Sequence, residues 1–496
     1  MRCLTLANQF KILGANVHFV CRYLPDYFAS LILKSGHAIL RLALVDEFSL
    51  KEERSLETDE PIHTDWLGVS WQFDAEETSR VLSSIKNLTW LVVDHYALDA
   101  RWESALKSTA NQILVIDDLA DRKHDCDLIL DQNFYLDQNS RYIGKIGNKT
   151  IKLFGPQYAL LRPEFLQVND VAVKRKRLSA SPNRINICFG GVDATGETLK
   201  ALNALDKTFF YKKMLVDIVV GPGNLQLNEI KDWVIERPYL KLHVAPDQLA
   251  QLMSEADVAI GAAGSMSWER ACLGLPSIAI AIAKNQERLA MDAGSVGMHL
   301  FLGSSETVDS ASLIDAFKLL ISNTYLRQSF VRNSKKMTDG KGAIRVARRI
   351  VKSQINLRNA TLADCEATYE WRNAIENRMH AHDINEIPFE DHQKWFAASL
   401  NQHDRHLLIG YDAIGIVGVL RYDRHPDHWL TSVYLIPGRH GAGFGTDLLE
   451  QGIQWMKSQY GEACHILAEI KMDNMASQKV FQQAGYIPRF ITYTVA

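Results

Sequence analysis

The apolar positions of the first part of the chain follow two alternating periods. Helical spacing begins at the first residues and ends before Gly14. The apolar positions of that helix are Cys3, Leu6, Phe10 and Leu13. Short apolar runs, typical of buried parallel strands, then recur between helical stretches at 16–21, 38–45, 90–94, 113–117 and 128–131. This alternation predicts an α/β unit with a parallel sheet.

The opening helix has no strand before it. In a parallel α/β sheet such a helix normally follows a strand and a tight loop, and that loop is a usual place for catalytic residues. No Ser, Thr, Asp or Asn cap precedes the helix either. We therefore expect an internal Met to have been taken as the start of a longer natural protein.

A second α/β series follows a stretch with little pattern at 169–183. That stretch is predicted to be a linker, with its basic cluster 174–177 solvated rather than binding nucleic acid. Strands are expected at 185–189, 216–220, 240–244, 258–260 and 278–283. Two successive doubly wound halves imply a cleft between them, with ligands at the carboxyl ends of the strands.

The order of elements changes after a basic helical stretch at 335–355. A strand at 355–358 and several helices precede antiparallel-looking strands at 407–411, 414–420 and 429–435. A Gly-rich turn, a helix, a strand at 466–471, a further helix and a terminal strand complete this α+β region. The predicted domains are 1–172, 183–345 and 356–496.

Composition narrows the class of protein. The net charge of −3 from 55 basic and 58 acidic residues favours neither nucleic acid nor an anionic membrane as a partner. The seven cysteines have no paired spacing, which argues against disulfides and zinc and is typical of a reducing cytoplasm. The longest apolar run, at 277–283, is too short to cross a bilayer. The sequence thus predicts a cytoplasmic protein without a metal, and it leaves the oligomeric state open.

Two glycine-containing loops are candidates for nucleotide binding. The segment 261–270 follows a strand and leads into a helix, where small residues let a ligand approach the main chain and free N–H groups favour a diphosphate. Glu269 could accept hydrogen bonds from a ribose. The alternative is an ordinary tight turn between strand and helix. Gly190 and Gly191 repeat the arrangement after an earlier strand, and two such loops on one edge favour a nucleotide.

The first half places acidic residues where its strands end. Asp94, followed by His95 and Tyr96, ends one strand, and Asp117 and Asp118 end another. A carboxylate at a strand end can orient a catalytic group or bind a sugar hydroxyl. The commoner role of such an Asp is to cap the next helix, and the spacing alone favours capping.

The ordered motifs of residues 1–345 resemble one family. They are 1–7, 66–69 with 74–75, 94–96, 116–118, 155–156 with 160–163, 190–191, 267–270 and 285–286. The family is the UDP-2,4-diacetamido-2,4,6-trideoxy-β-L-altropyranose hydrolase of pseudaminic acid biosynthesis. The resemblance implies two Rossmann-like halves of the glycosyltransferase-B type, with UDP held by the C-terminal half.

The resemblance also implies roles for particular residues. The residues expected to contact UDP and line the cleft are Gly264, Ser265, Glu269 and Asn285. Tyr96 and Asp94 would face the sugar. The family's catalytic His stands in a Gly-x-Gly-His loop before the first helix, and this sequence has no residue at that position. The alternatives for this region are a UDP-sugar-dependent glycosyltransferase and a half that binds a UDP-sugar without catalysis.

The C-terminal region has a motif set of its own. Three alternating glycines, Gly441, Gly443 and Gly445, stand directly before a helix, where main-chain N–H groups can cradle a pyrophosphate. Together with a downstream Asn-x-x-Ser segment and a Phe-x-x-x-Gly-Tyr segment, they resemble the acetyl-CoA-dependent GNAT acetyltransferases over about 356–496. Acetyl-CoA is therefore the expected co-substrate.

The GNAT resemblance implies where acetyl-CoA would lie. The CoA pyrophosphate would lie on the three glycines, the pantetheine arm along Val433 and Leu435, and the acyl end near Asn474. His440 stands where the family usually has Gln or Arg. Phe481 stands where many members have a Tyr that protonates the leaving thiolate, so Ser477, Tyr486 or water would have to supply that proton.

The two resemblances describe consecutive steps of one pathway. A GNAT enzyme acetylates the 4-amino group of a UDP-4-amino sugar, and the hydrolase then removes UDP. A single chain with both activities, acting on UDP-amino-sugar substrates, is the function that the sequence favours.

Overall fold

The computed structural model describes residues 1–44, 61–178, 181–208, 213–235, 237–351, 355–381, 383–412 and 414–489. The chain forms two compact units. The first comprises Met1–Gln9 and Asn16–Val346, and the second comprises Phe10–Ala15 and Ala347–Ala496.

The first half of the first unit contains two parallel sheets. Their strands are β1 (His18–Cys21), β2 (Ala38–Arg41), β3 (Trp90–Val93), β4 (Gln112–Ile116), β5 (Leu128–Asp131) and β6 (Ile151–Phe154). β1 pairs with β2, and the other four strands lie in the order β3-β4-β5-β6. The helices are α1 (Arg2–Ile12), α2 (Asp26–Lys34), α3 (Trp71–Leu82), α4 (Ala100–Leu106) and α5 (Pro163–Leu178). All four residues of β5 are buried, which explains its unbroken apolar run.

Two predictions for this half need correction. The predicted linker at 169–183 is helical as far as Leu178, because its Val, Lys and Arg residues tolerate a helix and no Gly or Pro interrupts them before Pro182. The strand predicted at 38–45 ends at Arg41, and residue 45 lies outside the described residues.

The second half is a six-stranded parallel sheet in the order β12-β11-β10-β7-β8-β9. Its strands are β7 (Arg184–Cys188), β8 (Leu215–Val220), β9 (Leu240–Val244), β10 (Val258–Ala262), β11 (Ser277–Ala281) and β12 (Leu300–Ser304). The helices are α6 (Glu197–Asp206), α7 (Leu227–Ile235), α8 (Leu249–Glu255), α9 (Met266–Cys272), α10 (Lys284–Ser295), α11 (Ser310–Ser322), α12 (Thr324–Met337) and α13 (Gly342–Ile350). The central strands β7, β10 and β11 are buried almost throughout, so the core follows the middle of the sheet.

The second unit contains a five-stranded sheet in the order β13-β14-β15-β16-β17. Its strands are β13 (Asn356–Asn359), β14 (Arg405–Asp412), β15 (Gly415–Arg424), β16 (Trp429–Leu435) and β17 (Ile466–Ala468). Its helices are α14 (Cys365–Asn373), α15 (Ile375–Arg378), α16 (Phe389–Leu400), α17 (Phe444–Tyr460) and α18 (Met475–Gln483). The pairs are antiparallel except β16 with β17, which is parallel. The predicted terminal strand would fall largely on 490–496, outside the described residues.

The parallel pair β16-β17 is short, so part of the β16 edge is left without a strand beside it. β17 pairs only with 429–431 of β16, whereas β15 pairs with β16 along its whole length. Within the described residues, the β17-facing edge of 432–435 therefore has no strand partner.

In the described part of the chain, no helix combines the length and apolar character needed to cross a membrane.

Candidate functional site

The first candidate site lies at the carboxyl edge of the six-stranded sheet. Gly190 and Gly191 follow β7, and Gly264 and Ser265 follow β10. Gly190 has φ 97°, a conformation that a residue with a Cβ adopts only with strain. A methyl group on Gly191 would meet no atom of the described residues within 4 Å, so the loop after β7 is open on that side among them.

Three polar side chains lie at this edge of the sheet, those of Ser265, Glu269 and Asn285. Ser265 begins α9 without a side-chain capping bond. Glu269 is half-buried one turn further on, and Asn285 is exposed near the start of α10. Burial raises the pKa of Glu269, although Arg162 and Arg270 oppose the shift. The edge thus offers a carboxylate, an amide and a hydroxyl to a ligand.

Arg270 lies beneath the same loop. It is 2% exposed, and its Nη2 donates to the Ala262 carbonyl at 2.6 Å and to the Ser267 Oγ at 3.1 Å. Burial lowers its pKa to about 10. A Cβ on Gly261 would lie 2.8 Å from its Nη1. The loop after β10 therefore rests on a buried guanidinium.

The two halves of the first unit contact each other next to this site. The indole Nε1 of Trp268, on α9, donates to the Asn133 Oδ1 at 3.0 Å, and both residues are buried. α9 is thereby fixed to the loop after β5, which joins the glycine-rich edge of one half to the strand ends of the other.

The second candidate site lies where β3 and β4 end. Arg2 connects their carboxylates: its Nη2 donates to Asp94 at 2.6 Å and its Nη1 to Asp118 at 2.9 Å. The Cys3 Sγ also contacts Asp94 at 2.8 Å, and the Tyr96 hydroxyl donates to Asp118 at 2.8 Å. The start of α1 is thus anchored to two strand ends.

The protonation states of this cluster are fixed by its partners. Burial alone would raise the pKa of Asp94, but the hydrogen bonds and charge of Arg2 hold it below its ordinary value. Burial and Asp118 raise the pKa of Tyr96 well above its ordinary value. Asp94 is therefore a fixed anion, and Tyr96 can serve as a hydrogen-bond donor but not as a base.

Three aromatic rings meet beside this cluster. The ring centroids of His63 and Trp66 lie 5.6 Å and 5.9 Å from that of Tyr96, and 4.6 Å from each other. Trp66 is 64% exposed. An exposed aromatic surface next to hydrogen-bonding groups suits a sugar or a base, which presents an apolar face and polar edges.

A buried ionic network supports the second site from below. The Nδ1 of His124 lies 2.7 Å from Glu103 and its Nε2 lies 3.7 Å from Asp117, all three fully buried. Arg122 donates to the other oxygen of Asp117 at 3.0 Å. Burial by itself lowers the pKa of His124, but the two carboxylates outweigh it and raise the pKa to about 9. His124 is therefore a cation at neutral pH.

The expectation that strand-end aspartates cap helices is met only in part. Asp99 does cap α4, accepting from the Arg101 main-chain N–H at 2.9 Å. Asp94 instead pairs with Arg2, and Asp117 holds a turn through the Ala120 N–H at 2.9 Å. Sequence reasoning named Asp118 as a strand-end carboxylate but not its pairing with Arg2 and Tyr96. It did not single out Arg2 or His63, although Arg2 lies within the quoted motifs.

The third candidate site lies in the second unit, along β16 and the loop before α17. Val433 and Leu435 are on the part of β16 that β17 leaves unpaired. Gly441 and Gly443 have φ 76° and 87°, and a methyl group on Gly443 would meet nothing within 4 Å. Gly445 lies inside α17, where a Cβ would be 3.0 Å from Val480. An open strand edge and an open glycine turn at a 17-residue helix fit an extended ligand with a phosphate group.

One of the two predicted acid residues, Tyr486, lies beside the point where β16 and β17 separate. The Tyr486 hydroxyl is 3.2 Å from the Thr431 Oγ1, and its ring packs edge-on against Phe481 at 4.9 Å. Burial raises the pKa of Tyr486 to about 12. The Asn474 Oδ1 accepts from the Ser477 N–H at 3.0 Å and so caps α18. Tyr486 is a protonated hydroxyl near the position where the family's Tyr is replaced by Phe481.

The described ranges contain no group of three or more His, Cys, Asp or Glu side chains able to hold a metal ion.

Comparison with known proteins assigns a family to part of the second unit. Residues 366–486 match the model of the acetyltransferase (GNAT) family. The C-terminal region is therefore a GNAT acetyltransferase domain, which fits acetyl-CoA as the co-substrate.

The chain is also similar in sequence to a UDP-sugar hydrolase and in fold to MurG. The chain is 28% identical over 223 residues to the UDP-2,4-diacetamido-2,4,6-trideoxy-β-L-altropyranose hydrolase of Campylobacter jejuni, an alignment covering 44% of this chain and 77% of that protein. The crystal structure of Acinetobacter baumannii MurG superposes with a TM-score of 0.50 at 15% identity, covering 71% of this chain and 95% of MurG. The fold is thus two halves of the glycosyltransferase-B type followed by a GNAT domain.

A third relative shares most of the chain. An uncharacterized Methanocaldococcus jannaschii protein, MJ1062, is 22% identical over 447 residues, covering 83% of this chain and 84% of that protein. The alignment with MJ1062 is longer than residues 1–346, which form most of the first unit. The similarity therefore extends into both units.

Proposed function

We propose that this chain catalyses two consecutive steps on a UDP-linked amino sugar of pseudaminic acid biosynthesis. The second unit N-acetylates the 4-amino group with acetyl-CoA, and the first unit hydrolyses UDP from the resulting UDP-2,4-diacetamido-2,4,6-trideoxy-β-L-altropyranose. The observation that supports this most is the joining of a GNAT domain to a region similar to that hydrolase in one chain. The product of the first reaction is then the substrate of the second.

The acetyl transfer would use the open edge of β16. Val433 and Leu435 would bind the pantetheine arm through their main chain, and the loop of Gly441 and Gly443 would bind the pyrophosphate. The sugar amine attacks the thioester carbonyl, the C–S bond breaks, and the amine loses its proton to water. The Tyr486 hydroxyl would protonate the departing thiolate, since its raised pKa keeps it protonated.

The hydrolytic step would use both halves of the first unit. Gly190, Gly191, Gly264 and Ser265 would hold the UDP diphosphate, with Glu269 accepting from the ribose and Asn285 beside them. The Tyr96 hydroxyl, whose proton is donated to Asp118, would accept a hydrogen bond from a sugar hydroxyl, and Arg2, held by Asp94, would fix Asp118. Water attacks the anomeric carbon as the bond to UDP breaks. The attacking water loses one proton to bulk solvent, and UDP, a good leaving group, departs with the bonding electron pair. His63 lies 5.6 Å from Tyr96, ring centre to ring centre.

Time-resolved product analysis of the full chain with the UDP-4-amino sugar and acetyl-CoA tests the proposal. We expect free CoA and the acetylated UDP-sugar first, and then UDP and the free diacetamido sugar. CoA release without UDP release would leave only the acetyltransferase. UDP release that requires an added sugar or lipid acceptor would establish a glycosyltransferase instead.

Two variants assign each step to its own unit. Tyr486→Phe removes the proposed acid, and CoA release should fall by roughly 100-fold while hydrolysis of the purified diacetamido substrate is unchanged. Tyr96→Phe should slow UDP release by a similar factor without changing CoA release. Tyr325→Phe, at a tyrosine of α12 that is 85% exposed, serves as the control.

A further inference from the structure

The two glycine loops of the second half of the first unit share one buried cation. The strands β7 and β10 are neighbours in the sheet, and Gly190 follows β7 as Gly264 follows β10. The Arg270 guanidinium lies where the two strands end, because a Cβ on Gly261 would be 2.4 Å from the Cys188 carbonyl oxygen and 2.8 Å from the Arg270 Nη1. Glycine at position 261 therefore leaves the space that the guanidinium occupies.

The hydrogen bonding of this guanidinium is incomplete. The Nη2 of Arg270 donates to the Ala262 carbonyl and to the Ser267 Oγ. The Nε and Nη1 are buried and have no hydrogen-bond partner among the described residues. Buried donors are normally paired, and leaving them unpaired lowers stability. An apolar side chain of similar length would avoid this cost, so the fold alone does not explain an arginine here.

The charge of Arg270 is not paired within the fold either. Burial lowers its pKa to about 10, so it is a cation at neutral pH. The charge of Glu269 acts on it, but among the described residues no carboxylate forms an ion pair with it. Burial raises the pKa of Cys188 to about 12 and lowers that of His299 to about 4, so both of these neighbours are neutral. A buried cation without a paired anion is costly unless an anion is supplied from outside.

We infer that Arg270 is a positioning residue of the nucleotide site, whose buried charge stabilises the diphosphate of a bound nucleotide through the two glycine loops without touching it. Between charges in a protein interior the attraction extends over several ångströms, since water does not screen it as it does at the surface. The ligand then supplies the anion that the fold does not. The inference rests on the proposed nucleotide site and adds that Arg270 makes this site selective for a charged ligand.

Titration of the full chain with UDP and with uridine, which lacks the diphosphate, tests this. Arg270→Met removes the charge and keeps a long side chain, so UDP affinity should fall by roughly 10- to 50-fold and uridine affinity by less than about threefold. Arg270→Lys keeps a positive charge and should retain most of the difference between the two ligands. Arg332→Met, at an exposed arginine of α12, is the matched control and should bind both ligands as the wild type does.

Ser267→Ala is a milder variant that keeps the charge and removes one of the two acceptors that fix the guanidinium. It should lower UDP affinity by about two- to threefold and leave uridine affinity unchanged. Equal losses for UDP and uridine in Arg270→Met would mean that Arg270 only shapes the loops, and this would overturn the inference. Unchanged UDP affinity in that variant would do the same. Failure of the wild-type chain to bind UDP at all would instead reject the proposed nucleotide site.

Thermal unfolding without nucleotide separates the two roles independently of affinity. Because the charge that Arg270→Met removes is buried and unpaired, this variant should unfold at a temperature no lower than that of the wild type. Saturating UDP should then raise its unfolding temperature less than it raises that of the wild type. An Arg270→Met chain that unfolds well below the wild type, or an Arg270→Lys chain that loses UDP selectivity as Arg270→Met does, would assign the guanidinium to the fold and contradict the inference.

Discussion

The two halves of the first unit differ in the residues that follow the carboxyl ends of their strands. In the first half, Asp94, Asp117 and Asp118 are already paired with Arg2, Arg122 or His124. In the second half, glycines follow β7 and β10. Among the described residues, Ser265 makes no side-chain capping bond, and the Glu269 carboxylate has no hydrogen bond or ion pair, although the charges of Arg162 and Arg270 act on it. The comparison indicates that one edge satisfies its charges within the fold, whereas the other keeps its main chain and side chains available for a ligand.

The difference predicts where substitutions destabilise the protein and where they only weaken binding. His124→Ala should have the largest effect on stability, because it leaves Glu103 and Asp117 buried without their shared cation. We expect a loss of about 3–5 kcal/mol in the free energy of unfolding. Hydrogen–deuterium exchange of residues 112–131, together with urea unfolding, measures it.

The control for His124→Ala is an ion pair of the same half at the surface. Lys107 pairs with Asp125 and both are well exposed, so Lys107→Ala should cost no more than about 1 kcal/mol. If the two variants lost equal stability, the buried network would not be what distinguishes the first half.

The same histidine predicts how stability depends on pH. The folded-state pKa of about 9 lies above the ordinary value of 6.5, so its stabilisation is complete below pH 6.5 and is lost as the pH rises through 9. The loss should approach about 3 kcal/mol by pH 9.5. Urea unfolding at pH 6.5, 8 and 9.5 measures it. A His124→Ala chain that shows the same pH dependence would assign the effect to another group.

Local sequence signals predicted the glycine-rich loops of the second half better than the ion-paired strand ends of the first half. The strands of both halves were recognisable because burial on both faces produces continuous apolar runs, as in β5 and β10. The loop glycines were recognisable because the strained φ of Gly190 or Gly443 is a property of one residue and its neighbours. Such features need no knowledge of distant contacts.

The parts that sequence reasoning missed depend on distant partners or on partial burial. Arg2 and Asp94 are 92 positions apart, and no spacing rule links them. β6 and β12 lie at sheet edges and are only partly buried, so their apolar pattern is weak. A cavity lined by Arg372, Trp395 and Leu407 combines two helices, α14 and α16, with three strands, β14, β15 and β16, which only the assembled sheet brings together.

At the glycine-rich edge of the second half, we expect substitutions to weaken UDP binding without lowering the free energy of unfolding. Glu269→Gln removes a carboxylate that would accept from the ribose, and UDP affinity should fall by about 2 kcal/mol, or roughly 30-fold. Because burial raises the pKa of Glu269, affinity in the wild-type chain should decline on acidification at a higher pH than an exposed Glu would cause. Isothermal titration with UDP from pH 4.5 to 8 tests both.

Glu306→Gln, at an exposed glutamate of the same half, is the control for Glu269→Gln and should bind UDP as the wild type does. An unchanged UDP affinity in Glu269→Gln would remove Glu269 from the nucleotide site. Lost stability in that variant would assign its carboxylate to the fold and would weaken the contrast between the two edges.

The smallest expected effects are those of alanine at Gly190 and Gly191. Together they separate the need of a glycine for its backbone conformation from its need for space beside a ligand. Gly190 has φ 97°, so Gly190→Ala should cost about 1 kcal/mol of stability through backbone strain alone. Gly191 has no such strain, and a methyl group there meets no atom of the described residues within 4 Å, so Gly191→Ala should leave stability unchanged.

If a diphosphate binds against this loop, the added methyl group occupies space that the ligand needs, and Gly191→Ala should weaken UDP binding about fivefold. Thermal unfolding and UDP titration of the two variants measure both effects. Normal UDP binding by Gly191→Ala would mean that the opening above Gly191 is ordinary surface, and the nucleotide site would then rest on the loop after β10.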